Sequence, residues 1–314
     1  MIRIVNVNAL TQDHCEAETF ARYDTEYRCV MTRTSEELID AARDAEVVLF
    51  TFSAFTEEVF AALPKLRLLV RYGIGYDTVD LAAARAHGVT VCNAPTYGTI
   101  DVAEHAFALL QAANRKIPSF DAGVRAGSWG ACAAYPSHRL RGAVLGLVGF
   151  GRIARNMARI AEGFGMETAA YDPFVSQEDA GKTRMLPLEE LLRVSDYVSL
   201  HAPLNAENRH LIRRETLARM KDGAVLINTA RGGLVDTAAL ADALKAGKLR
   251  AAGLDVFETE PLPADSPLLT LENVVLTPHT AWLTEESLVS LHEEVTDEVV
   301  RYLEGKPNLH VVNR

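Results

Sequence analysis

The sequence predicts an α/β protein of two domains, each built on a parallel sheet. Three observations carry that prediction. Short apolar runs alternate with helical patterns along nearly the whole chain, which implies βαβ crossovers. The alternation is interrupted by one long amphipathic stretch, Ile100–Arg115, and restarts more sharply at Ala143. The length, 314 residues, gives two domains at about 150 residues apiece.

Taken in order, the candidate strands of the first hundred residues are Ile2–Val7, Val47–Phe52, Leu66–Arg71 and Val89–Cys92. Helical patterns over Ser35–Ala45, Thr56–Leu63 and Leu81–His87 lie between them. The helix from Ile100 closes this unit and opens the next. There the runs are Ala143–Val148, Glu167–Tyr171, Tyr197–Leu200, Ala224–Asn228, Ala251–Leu254 and Val274–Leu276. After Arg152, the residues Ile153, Met157, Ile160, Ala161 and Phe164 recur at helical spacing. Asp236 is placed to cap a helix carrying Leu240 and Leu244, which Gly247 closes. Six strands with their helices make a doubly wound dinucleotide-binding (Rossmann) fold. Glu285–Glu304 reads as a last long helix. The predicted domains are 100–281, and a discontinuous one made of 1–99 and 282–314. Two crossings between them predict a hinge whose closure excludes water.

Composition narrows the function. Hydrophobic residues at 48% and charged residues at 24% are ordinary globular proportions, which exclude wholesale disorder and low-complexity sequence. With 42 acidic against 32 basic residues the formal charge is −10, so neither nucleic acid nor an anionic membrane is an expected partner. Cys15, Cys29, Cys92 and Cys132 are scattered with no CxxC pair, giving no support to a metal site or a disulfide framework. The N-terminus reads as a strand and not as a signal peptide, and no window nears 18 uninterrupted apolar residues. A soluble cytoplasmic protein acting on a small molecule is expected.

The first chemical motif is the strand–turn–helix Leu145 to Ala154. Gly149 permits a tight turn, and Gly151 lets the backbone approach a pyrophosphate at the helix N-terminus formed by Phe150, Arg152 and Ile153. Ala154, where a third glycine is common, still allows close packing of helix on strand. Asp172 lies 21 residues beyond Gly151 and ends the second strand, where a carboxylate accepts hydrogen bonds from the adenosine ribose. A 2′-phosphate there faces like charge, at roughly 4 kcal/mol for unit charges 4 Å apart in an effective dielectric near 20. NAD is therefore favoured over NADP. Independently of motifs, the strand ends carry Asp172, His201, Thr229 to Arg231, Asp255 and His279, polar or ionisable groups where ligands collect in open α/β sheets.

From Gly149 to Trp282 the chain resembles the D-isomer-specific 2-hydroxyacid dehydrogenases. The resemblance rests on GFGRIA (149–154), NTARGGLVD (228–236), GLDVFETEP (253–261) and TPHTAW (277–282), with RYGIGYDTVD (71–80) outside them. It is strongest toward the branch containing the C-terminal binding proteins and phosphoglycerate dehydrogenases. It implies a Rossmann domain plus a smaller flavodoxin-like substrate-binding domain, and a homodimer through the nucleotide domain. It implies that Arg231 grips the substrate carboxylate and carbonyl, that His279 is the acid/base and that Glu260 pairs with it. It further implies cofactor contacts at His201, Ala202, Pro203, Thr229, Ala230, Asp255 and His279, and substrate-carboxylate contacts from the backbone at Ile74 and Gly75.

The residue chemistry agrees. Ketone reduction needs a proton for the carbonyl oxygen, which a histidine supplies near neutral pH. A carboxylate neighbour favours its imidazolium, and a planar guanidinium fits a 2-oxo acid. By spacing alone Glu258 or Glu260 could face His279; the family pattern selects Glu260. His201 is expected to pack or to edge the cofactor, and His105 to be structural. Trp282 either lines the substrate pocket or packs in the core, and Tyr76 and Tyr97 stay equally open. With ten residues after the last helix, the regulatory C-terminal domain of some phosphoglycerate dehydrogenases is not expected. The expected activity is NAD-dependent interconversion of a 2-oxo acid and a D-2-hydroxy acid. The rival is an NAD-sensing scaffold or corepressor, against which the retention of Arg231, Glu260 and His279 argues. Formate dehydrogenase is a weaker rival, because glutamine typically stands there in place of Glu260.

Overall fold

The computed structural model describes residues 1–8, 15–129 and 137–314, so Cys132 lies outside the described residues. The chain divides into two units, Met1–Gly98 with Leu283–Arg314, and Thr99–Trp282.

The first unit runs β1 (Ile2–Val7), α1 (Glu16–Phe20), β2 (Thr25–Val30), α2 (Ser35–Ala42), β3 (Val47–Phe50), α3 (Glu57–Ala62), β4 (Leu68–Arg71), α4 (Leu81–Ala86) and β5 (Thr90–Cys92). Its strands are all parallel, in the order β2-β1-β3-β4-β5. β3 is buried along its whole length, as expected of a central parallel strand covered on both faces. β2 escapes the sequence reading because it is an edge strand. Its TEYRCV side chains are part-exposed and form no apolar run. Thr34 and Asp80 cap α2 and α4 by accepting the amides of Glu37 and Ala83. The C-terminal helix Glu285–Leu303 belongs to this unit. Beyond it, Val312 donates its amide to the Val91 carbonyl, and the Asn313 side chain bonds the backbone of Val89 and Val91. Residues 311–313 thus cover the β5 edge.

The second unit opens with α5 (Thr99–Arg115) and α6 (Ile117–Arg125), separated at Lys116, whose φ is +53°. There follow β6 (Val144–Val148), α7 (Arg152–Gly163), β7 (Glu167–Tyr171), α8 (Gln177–Ala180), β8 (Arg184–Met185), α9 (Leu188–Val194), β9 (Tyr197–Leu200), α10 (Arg214–Arg219), β10 (Ala224–Asn228), α11 (Thr237–Lys245), β11 (Leu249–Leu254) and β12 (Val274–Leu276). The C-terminal helix is then α12. Among the described residues this sheet has seven parallel strands where the sequence predicts six, in the order β12-β11-β10-β9-β6-β7-β8. The extra strand, β8, is two residues long and too short to register as an apolar run.

α7 meets the sheet through Ala154, Met157, Ala158 and Ala161, while Phe164, predicted on the inward face, is half-exposed. Small side chains bring the helix axis close, and that centres the buried face on the alanines. The strand order reverses at β6, between β7 and β9, which marks the ligand-binding crevice of a doubly wound sheet. Among the described residues no helix is long and apolar enough to cross a membrane.

Candidate active site

The glycine-rich turn after β6 is shaped by contact. Gly149 has φ +85°, and a Cβ there would lie 2.8 Å from the backbone of His201 and Ala202. Glycine is required twice over, for conformation and for space. Gly151 is the N-cap of α7, and the space a side chain would take there is open. Asp172 follows β7 and accepts the amides of Phe150 at 2.8 Å and Phe174 at 2.9 Å, so it also fixes the glycine-rich turn.

After β9, His201 Nε2 lies 2.9 Å from Ser199 Oγ, and burial pushes the imidazole down to about 4. His201 is therefore neutral at pH 7 and unsuited to be a second acid. The Thr229 hydroxyl after β10 is buried and lacks a hydrogen-bond partner. An orphaned hydroxyl, an open glycine cradle at a helix N-terminus and a carboxylate at the β7 end are the groups a dinucleotide uses. The residues present fit NAD.

The His279–Glu260 pair stands in the segments that follow β11 and β12. His279 Nδ1 lies 2.6 Å from Glu260 Oε2, and Glu260 Oε1 accepts the Phe257 amide at 2.9 Å. Burial pushes the Glu260 carboxyl up, but hydrogen bonds from His279 and Phe257 and the charges of His279 and Arg231 outweigh it and hold it below the usual carboxylate range. Glu260 precedes a cis proline peptide. His279 sits at φ +55°, rare for a residue with a side chain. Its amide donates to the Asp255 carbonyl, and its own carbonyl accepts the Trp282 indole N–H at 3.0 Å.

Arg231 follows a turn that Asn228 builds. The buried Asn228 side chain accepts the Ala230 amide and donates to the Arg231 carbonyl. Arg231 lies near enough for its charge to act on the Glu260 carboxyl, which in turn holds His279. Glu258 is directed elsewhere, its Oε1 lying 2.6 Å from His210 Nε2.

Sequence reasoning missed three supports. Asn228 was visible only as the first letter of NTAR. Thr277, the first letter of TPH, donates its hydroxyl to Asp255 at 2.6 Å. His105, expected to be structural, lies 3.0 Å from the Thr277 hydroxyl and 3.6 Å from Asp255, directly behind the His279 loop. Its place in a helical pattern carried no sign of this. Ile74 and Gly75 lie in the first unit, in the loop after β4, where Asn93 donates to the Ile74 carbonyl at 2.7 Å. Among the described residues no group of three or more His, Cys, Asp or Glu could hold a metal ion.

Comparison with known proteins identifies the family. Residues 107–281 match the model of the D-isomer specific 2-hydroxyacid dehydrogenase NAD binding domain. A glyoxylate reductase of Korarchaeum cryptofilum is 45% identical over 278 residues, covering 86% of this chain and 83% of that protein. A D-3-phosphoglycerate dehydrogenase of Methanocaldococcus jannaschii is 41% identical over 284 residues, 89% of this chain and 54% of that protein. The chain thus spans about half the length of the phosphoglycerate dehydrogenases it matches. The solved D-lactate dehydrogenase of Aquifex aeolicus, complexed with NAD and lactic acid, superposes with a TM-score of 0.86 at 30% identity, covering 96% of each chain. Matched over more than half its length, and aligned along 86% of it with a relative covered to 83%, the chain belongs to the D-isomer specific 2-hydroxyacid dehydrogenase family.

Proposed function

We propose that this protein is an NAD-dependent dehydrogenase interconverting a 2-oxo acid and a D-2-hydroxy acid. The observation that carries the reading is the 2.6 Å contact of Glu260 with His279 beside Arg231, at the strand ends that also hold the dinucleotide cradle. When bound, the reduced nicotinamide supplies hydride to C2 of the oxo acid. Because Glu260 engages Nδ1 of His279, proton transfer to the carbonyl oxygen falls to Nε2. Glu260 orients the ring and balances the imidazolium before the proton leaves. Arg231 offers a planar fork to the substrate carboxylate and polarises the carbonyl.

The protein is read as a cytoplasmic homodimer. α6 supports the dimer, since none of its residues is buried while Ile117, Phe120 and Val124 expose an apolar stripe at helical spacing.

The test is turnover of NADH with a panel of 2-oxo acids, together with titration of oxamate into the NADH-bound protein. Turnover and oxamate binding are expected. Arg231→Lys is expected to lose both while keeping NADH, because a point charge cannot replace the fork. No turnover and no oxamate binding in the wild type would shift the reading to an NAD-sensing scaffold.

A further inference from the structure

The site contains a second histidine–glutamate pair that the reaction itself does not use. Glu258 lies two residues before Glu260, and both of its oxygens are engaged. Oε1 meets His210 Nε2 at 2.6 Å, and Oε2 accepts the amide of Thr237, the first residue of α11, at 2.9 Å. Arg209 stands 3.8 Å away. Burial pushes the Glu258 carboxyl up, yet the bonds from Thr237 and His210 outweigh it and hold it below the usual range, as for a carboxylate kept ionised by its partners.

His210 is itself fixed. Its φ is +52°, and its amide donates to the Gly233 carbonyl at 2.8 Å. Two residues on, Ile212 pairs with Val235. His210 is therefore anchored to the turn that follows Arg231. The loop carrying Glu258 lies on the same turn, because a Cβ on Gly232 would fall 1.8 Å from the Phe257 carbonyl carbon. The next contact along that loop is the Phe257 amide on Glu260, whose other oxygen holds His279.

We propose that His210 and Glu258 are positioning residues that pin the 257–260 loop to the Arg231 turn, and so fix where Glu260 meets His279. The proposal rests on the dehydrogenase reading for its effect on rate, but not for its effect on Glu260. Removing the pair leaves both reacting groups in place and loosens the loop between them. An error of about 1 Å in such a group costs as much as a hundredfold in rate. A carboxylate that merely capped α11 would change stability and leave Glu260 untouched.

The experiment uses Glu258→Gln, which keeps an acceptor for Thr237, along with His210→Ala and His210→Gln. Carbon-13 labelling of glutamate carboxyls follows the Glu260 titration, identified as the resonance that Glu260→Gln removes. In Glu258→Gln and His210→Ala the Glu260 carboxyl is expected to titrate closer to an ordinary glutamate, with kcat lower by about tenfold to a hundredfold and NADH affinity unchanged. His210→Gln, which keeps a donor toward Glu258, is expected to restore much of both. An unchanged Glu260 titration in both disabling variants overturns the proposal, whatever happens to kcat or Tm. If the wild type turns over no 2-oxo acid, the dehydrogenase reading fails while the titration still decides the positioning role.

Discussion

Asp255 holds His279 by the backbone. Its carbonyl accepts the His279 amide at 2.8 Å, and its buried carboxylate accepts the next two amides, Thr280 and Ala281, each at 2.9 Å. His279 is thus held from behind by a carboxylate that lies under its loop. Asp255→Asn keeps the shape but turns an NH2 donor toward one of those backbone N–H groups. Leaving a buried donor unpaired costs about 1–3 kcal/mol. The variant is expected to be less stable by that amount and to lose kcat. Equal stability in urea titrations of variant and wild type would refute the clamp.

The proposed acid–base role of His279 and Glu260 carries a pH prediction. The Glu260 carboxyl is held below its ordinary value, so its interaction with His279 is fully present above the usual carboxylate range and is lost as pH falls through the lowered value. In Glu260→Gln the imidazolium loses its counter-charge, and the optimum for 2-oxo acid reduction is expected to move to lower pH. His279→Ala is expected to cost about 10²–10⁴ in kcat, the usual worth of a positioned acid, with NADH affinity little changed. Steady-state pH profiles of the three proteins check both statements, and turnover near the wild-type rate in His279→Ala would exclude it as the acid.

Cofactor choice is predicted to rest on Asp172. Its carboxylate follows β7 and is held in place by the Phe150 and Phe174 amides. A 2′-phosphate would meet a fixed negative charge, so NADH is expected to be preferred over NADPH by at least about tenfold, near 1.4 kcal/mol. Asp172→Ser should narrow the ratio of kcat/KM values. Comparable values in the wild type would remove the assignment.

His201 predicts an acid-linked loss of stability. Burial lowers its imidazole from 6.5 to about 4, so between those values the unfolded chain takes up a proton that the folded one refuses. Stability contributed by the neutral ring is present above 6.5 and drains away as pH falls toward 4, by on the order of 3 kcal/mol. His201→Gln is expected to show a flatter dependence over that window in denaturant titrations. Parallel curves for the two proteins would contradict it.

The fold was largely legible in the sequence because central parallel strands must be apolar on both faces. Tyr197–Leu200 and Ala224–Asn228, buried along their whole length, have the predicted bounds for that reason. Strands β2 and β8 were not, since an edge strand keeps polar side chains and a two-residue strand has no pattern to read. At the site, Arg231, Glu260 and His279 were legible through long motifs. The choice of Glu260 over Glu258 was not legible from spacing, because a loop has no fixed period to assign faces. The family motif chose Glu260, and the contacts agree, with Glu260 on His279 and Glu258 on His210. The supporting role of His105 was hidden for a similar reason. Its partners, Thr277 and Asp255, lie more than a hundred positions away in the chain.

The division of the first unit between residues 1–98 and 283–314 has a consequence for biosynthesis. The first ninety-eight residues leave the ribosome early and carry all five strands of their sheet, but the β5 edge receives Val312 and Asn313 only when translation reaches them. Thr99–Trp282 is continuous and needs nothing made later. Since domains fold as units during synthesis, the nucleotide unit can mature on the ribosome while the segment made before it waits. Of these two units, the one begun earlier in synthesis is the one completed later.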